Sequence, residues 1–457
     1  MRLVKAAHER EYPPSTVKPR VRRLSASTST DVDGRRAARA QQTRRWLRDC
    51  MGNRRAGGPL LAFVLCASLT GNSPAFAQNQ ASRARDDGQY SIVHDDALRR
   101  AKVWVAPTTP IEKAKLGENP RGRDRFAPDD IVSCRFKPGG VAGSTPKFDC
   151  ELKSGEKVKI KYGRDNAEVY AEVAATRLLA ALGVPADRMY VVDRVRCYGC
   201  PVDPFAGLQC VNEGVSIADC FPDLDYTTYQ EFESAVIERP VEGRRIETMK
   251  ERGWAWNELA KIDATAGGAS RANVDALRLL AVFLNHWDNK AKNQRLLCLG
   301  ENDPPGRVLD PRPCGRPLAM IQDLGATFGP NKLDLLNWAA SPIWADAATC
   351  AVSMRALPYG GSTFPDTRIT EEGRRFLAER LGRLSPRQIR ELFEGARVSR
   401  YPHKDPQGAN VDNWVHAFQA KVRMIRDRAP CPAEAPAFDL HRANPSPLWR
   451  ASDELSP

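Results

Sequence analysis

The stretch FLNHWDNKAKNQRLL, residues 283–297, sets Asp288 and Asn293 five positions apart at the end of an apolar run. Thirty-five residues beyond Asp288, MIQDLGATFG ends a second apolar run in Asp323, with Gly325 close behind. Carboxylate and carboxamide oxygens are the ligands that hard divalent cations prefer, and such a cation draws in phosphate oxygens. A further carboxylate beside it can face an attacking hydroxyl. On this reading Asp288 orients an acceptor hydroxyl, while Asn293 and Asp323 ligate Mg²⁺ or Mn²⁺. The plain alternative is that Asp288 and Asn293 cap and turn the chain after a buried helix, and that Asp323 with Gly325 makes an ordinary turn.

Phosphate chemistry also calls for a cation and for open backbone. KVKIKYG carries Lys161 at the end of a strand pattern, and EVYAEVAATRLL offers Glu168 and Glu172 one turn apart on one helix face. Lys161, with Lys159 as the alternative on the same strand face, pairs with Glu168 or Glu172. KPGGVAGSTPKF, residues 137–148, supplies Gly139, Gly140 and Gly143 as a candidate phosphate cover, although any hairpin can hold glycines. His286 reads as a structural hydrogen bonder rather than a general base.

HWDNKAKN has the spacing His-x-Asp-x-x-x-x-Asn of a protein-kinase catalytic loop, and DLG fits the metal-binding Asp-x-Gly that follows it. The order IKYG, AEVAATRLLAALG, HWDNKAKN, IQDLGATFG, all within residues 159–329, resembles the atypical protein-kinase-like superfamily. That superfamily includes phosphatidylinositol kinases, HipA-type kinases and secretory-pathway kinases. Resemblance of AEVAA to the corresponding helix of these kinase-like proteins favours Glu172 as the partner of Lys161. The resemblance implies an α+β, bilobal, kinase-like fold, with a small strand-rich N-lobe carrying one helix and a larger helical C-lobe. It also implies ATP with Mg²⁺ or Mn²⁺ and phosphoryl transfer to an acceptor (protein, lipid or sugar), with nucleotide transfer as the variant reaction. The relatives usually read Asp-Arg-His at the catalytic loop, whereas here His286 precedes Asp288 and Asn289 follows it.

The compartment is read from the amino-terminal region. Arg54 and Arg55, the apolar run 59–69 and Ala75-Phe76-Ala77 have the parts of a secretory signal, residues 51–77, cleaved after Ala77. Residues 1–50 read as a mis-assigned extension, with translation starting at Met51. No stretch is long enough to span a bilayer, so the expectation is an exported bacterial protein, periplasmic or secreted. The net charge of +13 is concentrated in residues 1–77, which hold 15 Lys and Arg against 5 Asp and Glu, leaving +3 for the remainder. No basic, aromatic-rich face suggests nucleic acid. Of twelve cysteines, ten lie between residues 134 and 431. An even number in an oxidising compartment reads as disulfides, with Cys134–Cys150 and Cys298–Cys314 the expected loop closures and a zinc knuckle around CYGC (197–200) the alternative. The second of these would staple the excursion between the strands that carry Asn293 and Asp323.

The elements that must position these groups divide the chain further. Residues 78–129 read as a linker or surface arm. An N-lobe, 130–195, holds the strands IVSCRF, KFDCEL, KVKIKY and MYVVDRV, with a helix from Glu168 to Leu182 capped by Asn166 and stopped by Gly183. A Cys-rich insert or hinge spans 196–258, a helical C-lobe 259–430 and a tail 431–457. In the C-lobe Asn273 is the expected cap of a buried helix, and Ser385 with Gln388 forms a capping box. Trp254, Trp256, Trp338 and Trp344 read as packing residues.

Two rivals come from other classes. One is a nucleotide-binding pseudokinase or disulfide-rich binding module without catalysis. The other is a metal-dependent hydrolase built on Asp288, Asp323 and Asp275, which lacks the His-rich ligand sets of zinc hydrolases: residues 78–457 hold five histidines. No Gly-x-Ser-x-Gly elbow supports a serine hydrolase.

Overall fold

Residues 88–99 form helix α1, inside the segment that reads as a linker or surface arm. The computed structural model describes residues 88–432 except 123–124, 141–142, 249, 251, 304–308 and 359; the segments expected as an amino-terminal extension (1–50) and a secretory signal (51–77), and the chain beyond 432, lie outside the described residues. Val93, Ala97, Leu98 and Ala101 recur at helical spacing between charged residues, and Ala97, Leu98, Ala101, Val103, Ile111 and Leu116 are buried in the main core. His94 Nε2 lies 2.8 Å from the Gly253 carbonyl, and the Trp104 indole donates to Asn273 O at 2.7 Å. The arm is therefore part of the core.

β1 (Ile131–Lys137), β2 (Lys147–Leu152) and β3 (Lys157–Lys161) are consecutive antiparallel strands. Gly155, at φ 82°, makes the β2–β3 turn, and the register sets Lys147 opposite Lys161. Helix α2 (Ala167–Leu182) follows, with the Asn166 side chain accepting from the Glu168 amide and Gly183 ending it in the left-handed region. The expected single strand MYVVDRV divides into β4 (Arg188–Val191) and β5 (Arg194–Tyr198), because the Asp193 amide turns away to donate to Asp130 O at 3.0 Å.

Residues 196–258, expected as an insert or hinge, supply α3 (Pro204–Asn212), α4 (Ile217–Cys220), β6 (Tyr229–Glu233), β7 (Val236–Arg239) and β8 (Arg244–Arg245). β6 and β7 complete a seven-stranded sheet of order β4-β7-β3-β2-β1-β5-β6, so the segment is integral to the fold. Its period is hidden because β7 is buried along its whole length, charged residues included.

The sheet separates two cores, as alternation along each strand requires. Phe136, Phe148, Ile160, Tyr190 and Phe232 form one, closed by Leu208 and Phe221 of the Cys-rich stretch. α2 packs on the other face, in a core shared with the carboxy-terminal helices. There α5 (Arg271–Leu284) is capped by Ser270 rather than the expected Asn273, which instead donates its amide to the Ser270 hydroxyl. β8 joins β9 (Gln294–Cys298) and β10 (Pro317–Ile321) in a second sheet, order β10-β9-β8. α6 (Leu335–Ala340), α7 (Glu371–Gly382), α8 (Pro386–Gly395) and α9 (Val411–Arg426) complete this half, with the Ser385–Gln388 capping box at the start of α8. Trp254, Trp256 and Trp338 are fully buried, while Trp344 is only partly so.

Disulfides join Cys134–Cys150, Cys197–Cys200, Cys210–Cys220, Cys298–Cys314 and Cys350–Cys431. CYGC thus closes on itself and offers no thiolate for the zinc alternative. Among the described residues no helix is long and apolar enough to cross a membrane. The fold is mixed α+β and disulfide-stapled.

Candidate functional site

β3 ends in Lys161, whose side chain crosses to α2 and pairs with Glu172, both groups being buried. Lys161 also meets Glu238 of β7 at 3.3 Å, and Lys159 meets the same carboxylate at 2.6 Å. Glu172, and not Glu168, therefore faces Lys161. Glu168 accepts instead from the Thr145 hydroxyl at 2.6 Å and from Lys332 Nζ at 2.6 Å.

The acidic stretches meet from the other half. α5 stops at Asn285, which adopts φ 53° and reverses the chain into residues 286–293. Asn289 is fully buried and fixes this loop: its side-chain oxygen accepts from Ser362 Oγ at 2.7 Å and from the Thr363 amide at 3.0 Å, and its NH₂ donates to His286 O at 3.0 Å. Asn293 Nδ2 donates to the Asp288 carbonyl at 2.7 Å. The Asn293 carbonyl in turn accepts the amides of Gln322 and Asp323 at 3.0 and 3.1 Å, so β9 and β10 deliver Asn293 and Asp323 side by side. Asp323 then closes its own turn, accepting from the Gly325 amide at 3.1 Å. Asp288 is partly exposed, with its carboxylate 2.9 Å from Lys290 Nζ.

Electrostatics tie the β3–α2 groups to the Asp323 turn. Burial alone would raise the Asp323 carboxyl, but the ammonium groups of Lys161 and Lys147 outweigh it and hold the group below the usual carboxylate range. Burial opposes charge on Lys161 as well, yet Glu172, Glu238 and Asp323 together raise its pKa well above the ordinary value. Burial would also raise Glu238, which Lys159 and Lys161 bring down to about 2. Burial is the largest influence on Glu172 and raises it to about 8; Lys161 pulls the other way, and Asp323 and Glu238 add to the rise. The cluster has more carboxylates than the two β3 lysines can neutralise, and the most buried of them carries the excess.

His286 is fully buried, and neither ring nitrogen finds a hydrogen-bond partner among the described residues. The expected structural hydrogen bonder is in fact a packing ring, 6.0 Å from the Trp256 ring. Burial brings its pKa to about 4 against the opposing pull of Asp323 and Asp288, so the imidazole is neutral at pH 7.

The three glycines separate. Gly143 has φ 93°, and a Cβ there would lie 2.8 Å from Lys147 Nζ. Gly140 instead faces α3, where a Cβ would meet the Asn212 side chain at 2.6 Å, and nothing lies within 4 Å of that position at Gly139. Only Gly143 is thus brought to a lysine of the cluster. Gly325 packs so closely on α2 that a Cβ would come within 2.7 Å of Glu168 Cγ.

Lys147, Glu238 and Lys332 belong to this site and were not among the residues expected from sequence. The β2–β3 turn at Gly155 was the signal for Lys147, since counting back from it places residue 147 opposite 161. No comparable signal marks Glu238 or Lys332, whose partners come from distant segments. Compared with known protein families, curated proteins and solved structures, the chain matches none. Its chemistry must be read from the site, where buried lysines stand near oxygen donors suited to a hard cation.

Proposed function

We propose that this protein is an exported, kinase-like phosphotransferase that uses ATP with Mg²⁺ or Mn²⁺, the acceptor being unknown. The observation that carries the reading is the buried Lys161–Glu172 pair lying within electrostatic reach of Asp323, itself hydrogen-bonded to the backbone of Asn293. The matching fold reading is bilobal, with β1–β7 and α2 as the small lobe, residues 259–430 as the large one, and the cleft where Lys161 approaches Asp323. Five disulfides support an oxidising compartment, periplasmic or extracellular.

The donor set fits a hard divalent cation. Among the described residues Asn293 Oδ1 and one Asp323 carboxylate oxygen accept no hydrogen bond, and Asp323 is held charged. Asn293 and Asp323 are thus the residues that would hold the metal. A bound cation supplies charge neutralisation at the phosphates. Lys161, fixed by Glu172 and Glu238, presents positive charge to the nucleotide side of the cleft. Asp288 orients the acceptor hydroxyl, which takes over part of the Asp288 contact with Lys290.

The test is label transfer from ATP to an extract of candidate acceptors, with Mg²⁺ or Mn²⁺ present. The γ-phosphate label should move and the α-label should not, and Asp288→Ala should slow transfer about 100-fold to 1000-fold while ATP remains bound. Movement of the α-label instead would make the protein a nucleotide transferase. Bound ATP with neither label moving would make it a pseudokinase.

A further inference from the structure

Four lysines lie around this site, and three of them are ion-paired. Lys161 takes Glu172 and Glu238, Lys159 takes Glu238, and Lys332 takes Glu168. Lys147 is different. It is 6% exposed, yet among the described residues its ammonium makes no ion pair and donates no hydrogen bond. Its nearest acids are already engaged, Glu168 by Thr145 and Lys332 and Asp323 by the Gly325 amide, and they reach it only through space.

Its position is defined. The register sets Lys147 directly opposite Lys161, so both side chains lie on the sheet face that α2 covers. Its Nζ rests against Gly143, where a Cβ would lie only 2.8 Å away. The positive φ favours glycine at 143.

A largely buried ammonium with no ion pair or hydrogen bond, its counter-charges acting only through space, is costly to the fold that carries it. An ordinary core position would hold an apolar residue here. We infer that Lys147 is the cation that takes the phosphate oxygens of a bound polyphosphate, the triphosphate of a nucleotide, while Lys161, committed to Glu172 and Glu238, contributes its charge at longer range. The inference rests on the phosphotransferase reading for the nucleotide but not for the anion. Burial, with Lys161 alongside, lowers the Lys147 pKa, a cost that an anion would remove.

The test compares the wild type with Lys147→Met and Lys161→Met, using MgATP and inorganic tripolyphosphate as separate probes in calorimetric titrations. Lys147→Met is nearly isosteric and removes an unpaired charge, so its ligand-free melting temperature should equal or exceed that of the wild type. Its Kd for both probes should rise by at least about tenfold, the loss of one charge-assisted hydrogen bond. Lys161→Met should instead melt lower, because it leaves Glu172 without its partner. Wild-type affinity in Lys147→Met for both probes overturns the inference, as does a lowered melting temperature in that variant. Tripolyphosphate binding that depends on Lys147, without ATP binding, upholds the anion site and removes the nucleotide reading. Binding of neither probe by the wild type removes both.

Discussion

Glu168 on α2 receives Lys332 at 2.6 Å and lies against the backbone of Gly325, so the helix that presents Glu172 is tied to the segment that presents Asp323. A methyl group at residue 325 would press on Glu168 Cγ at 2.7 Å and push α2 away. Gly325→Ala should therefore lower stability by about 1–3 kcal/mol, the usual cost of overpacking. Denaturant unfolding of the oxidised protein measures this. Lys332→Met should release the same tie without the clash and cost less, since its partly exposed ion pair is screened by solvent.

The Lys161–Glu172 pair should behave as one unit. Removing one partner of this buried pair leaves the other without its hydrogen bond, at a cost of about 1–3 kcal/mol. Lys161→Met and Glu172→Leu should each be costly singly, Lys161→Met more so because Glu172 then keeps no cation at ion-pair distance, whereas Lys161 keeps Glu238 when Glu172 is removed. The double variant should fall well short of the sum of the two. A double-mutant cycle reads the coupling directly, and additive losses would show that the pair contributes no coupling energy.

Local patterning made α2 legible, because Asn166, the helical run and Gly183 all agree with the fold. The β2–β3 hairpin was legible for the same reason: alternation and a glycine turn fix its register without help from elsewhere. The arm around α1 and the strands β6 and β7 were not legible. Residues 97, 98 and 101 are buried only because other segments cover them, and β7 is a strand whose buried residues include Glu238 and Arg239. Their charges find partners from β3 and from Glu156, a tertiary fact that the sequence of β7 does not carry. His286 misled in the opposite direction. Its type suggested hydrogen bonds, whereas it is used as a packing ring.

The disulfides should differ in worth according to the loops they close. Cys350–Cys431 spans 81 positions and ties the segment after α9 back to the main core, whereas Cys197–Cys200 spans 3. Loop-closure entropy assigns the long bridge about 4–5 kcal/mol and the short one much less. Cys350→Ser/Cys431→Ser should unfold at clearly lower denaturant than Cys197→Ser/Cys200→Ser, with both measured under non-reducing conditions. Equal losses would contradict the loop-length argument.

Lys421 on α9 is fully buried, donating to Ser341 O at 2.8 Å with its ammonium 5.7 Å from the centre of the Trp338 ring. Burial lowers its pKa to about 7. A lysine lowered in this way binds fewer protons folded than unfolded between about pH 7 and its ordinary value near 10.5, so stability rises with pH across that window. The penalty of charging it is complete below about pH 7. Lys421→Met should be more stable than the wild type at pH 6, and the difference should shrink as pH rises to 10. A constant difference across that range would show that folding leaves the Lys421 pKa near its ordinary value.

The central claim is that the cleft binds nucleotide through a cation held by Asp323. A ligand present at 100 times its Kd stabilises a native state by about 2.7 kcal/mol, so saturating ATP should raise the melting temperature of the purified, oxidised protein. The account predicts a rise that needs Mg²⁺ or Mn²⁺, disappears with a chelator, and is lost in Asp323→Ala but retained in Asp288→Ala. No rise with any nucleotide and either metal, or an equal rise in Asp323→Ala, would contradict it.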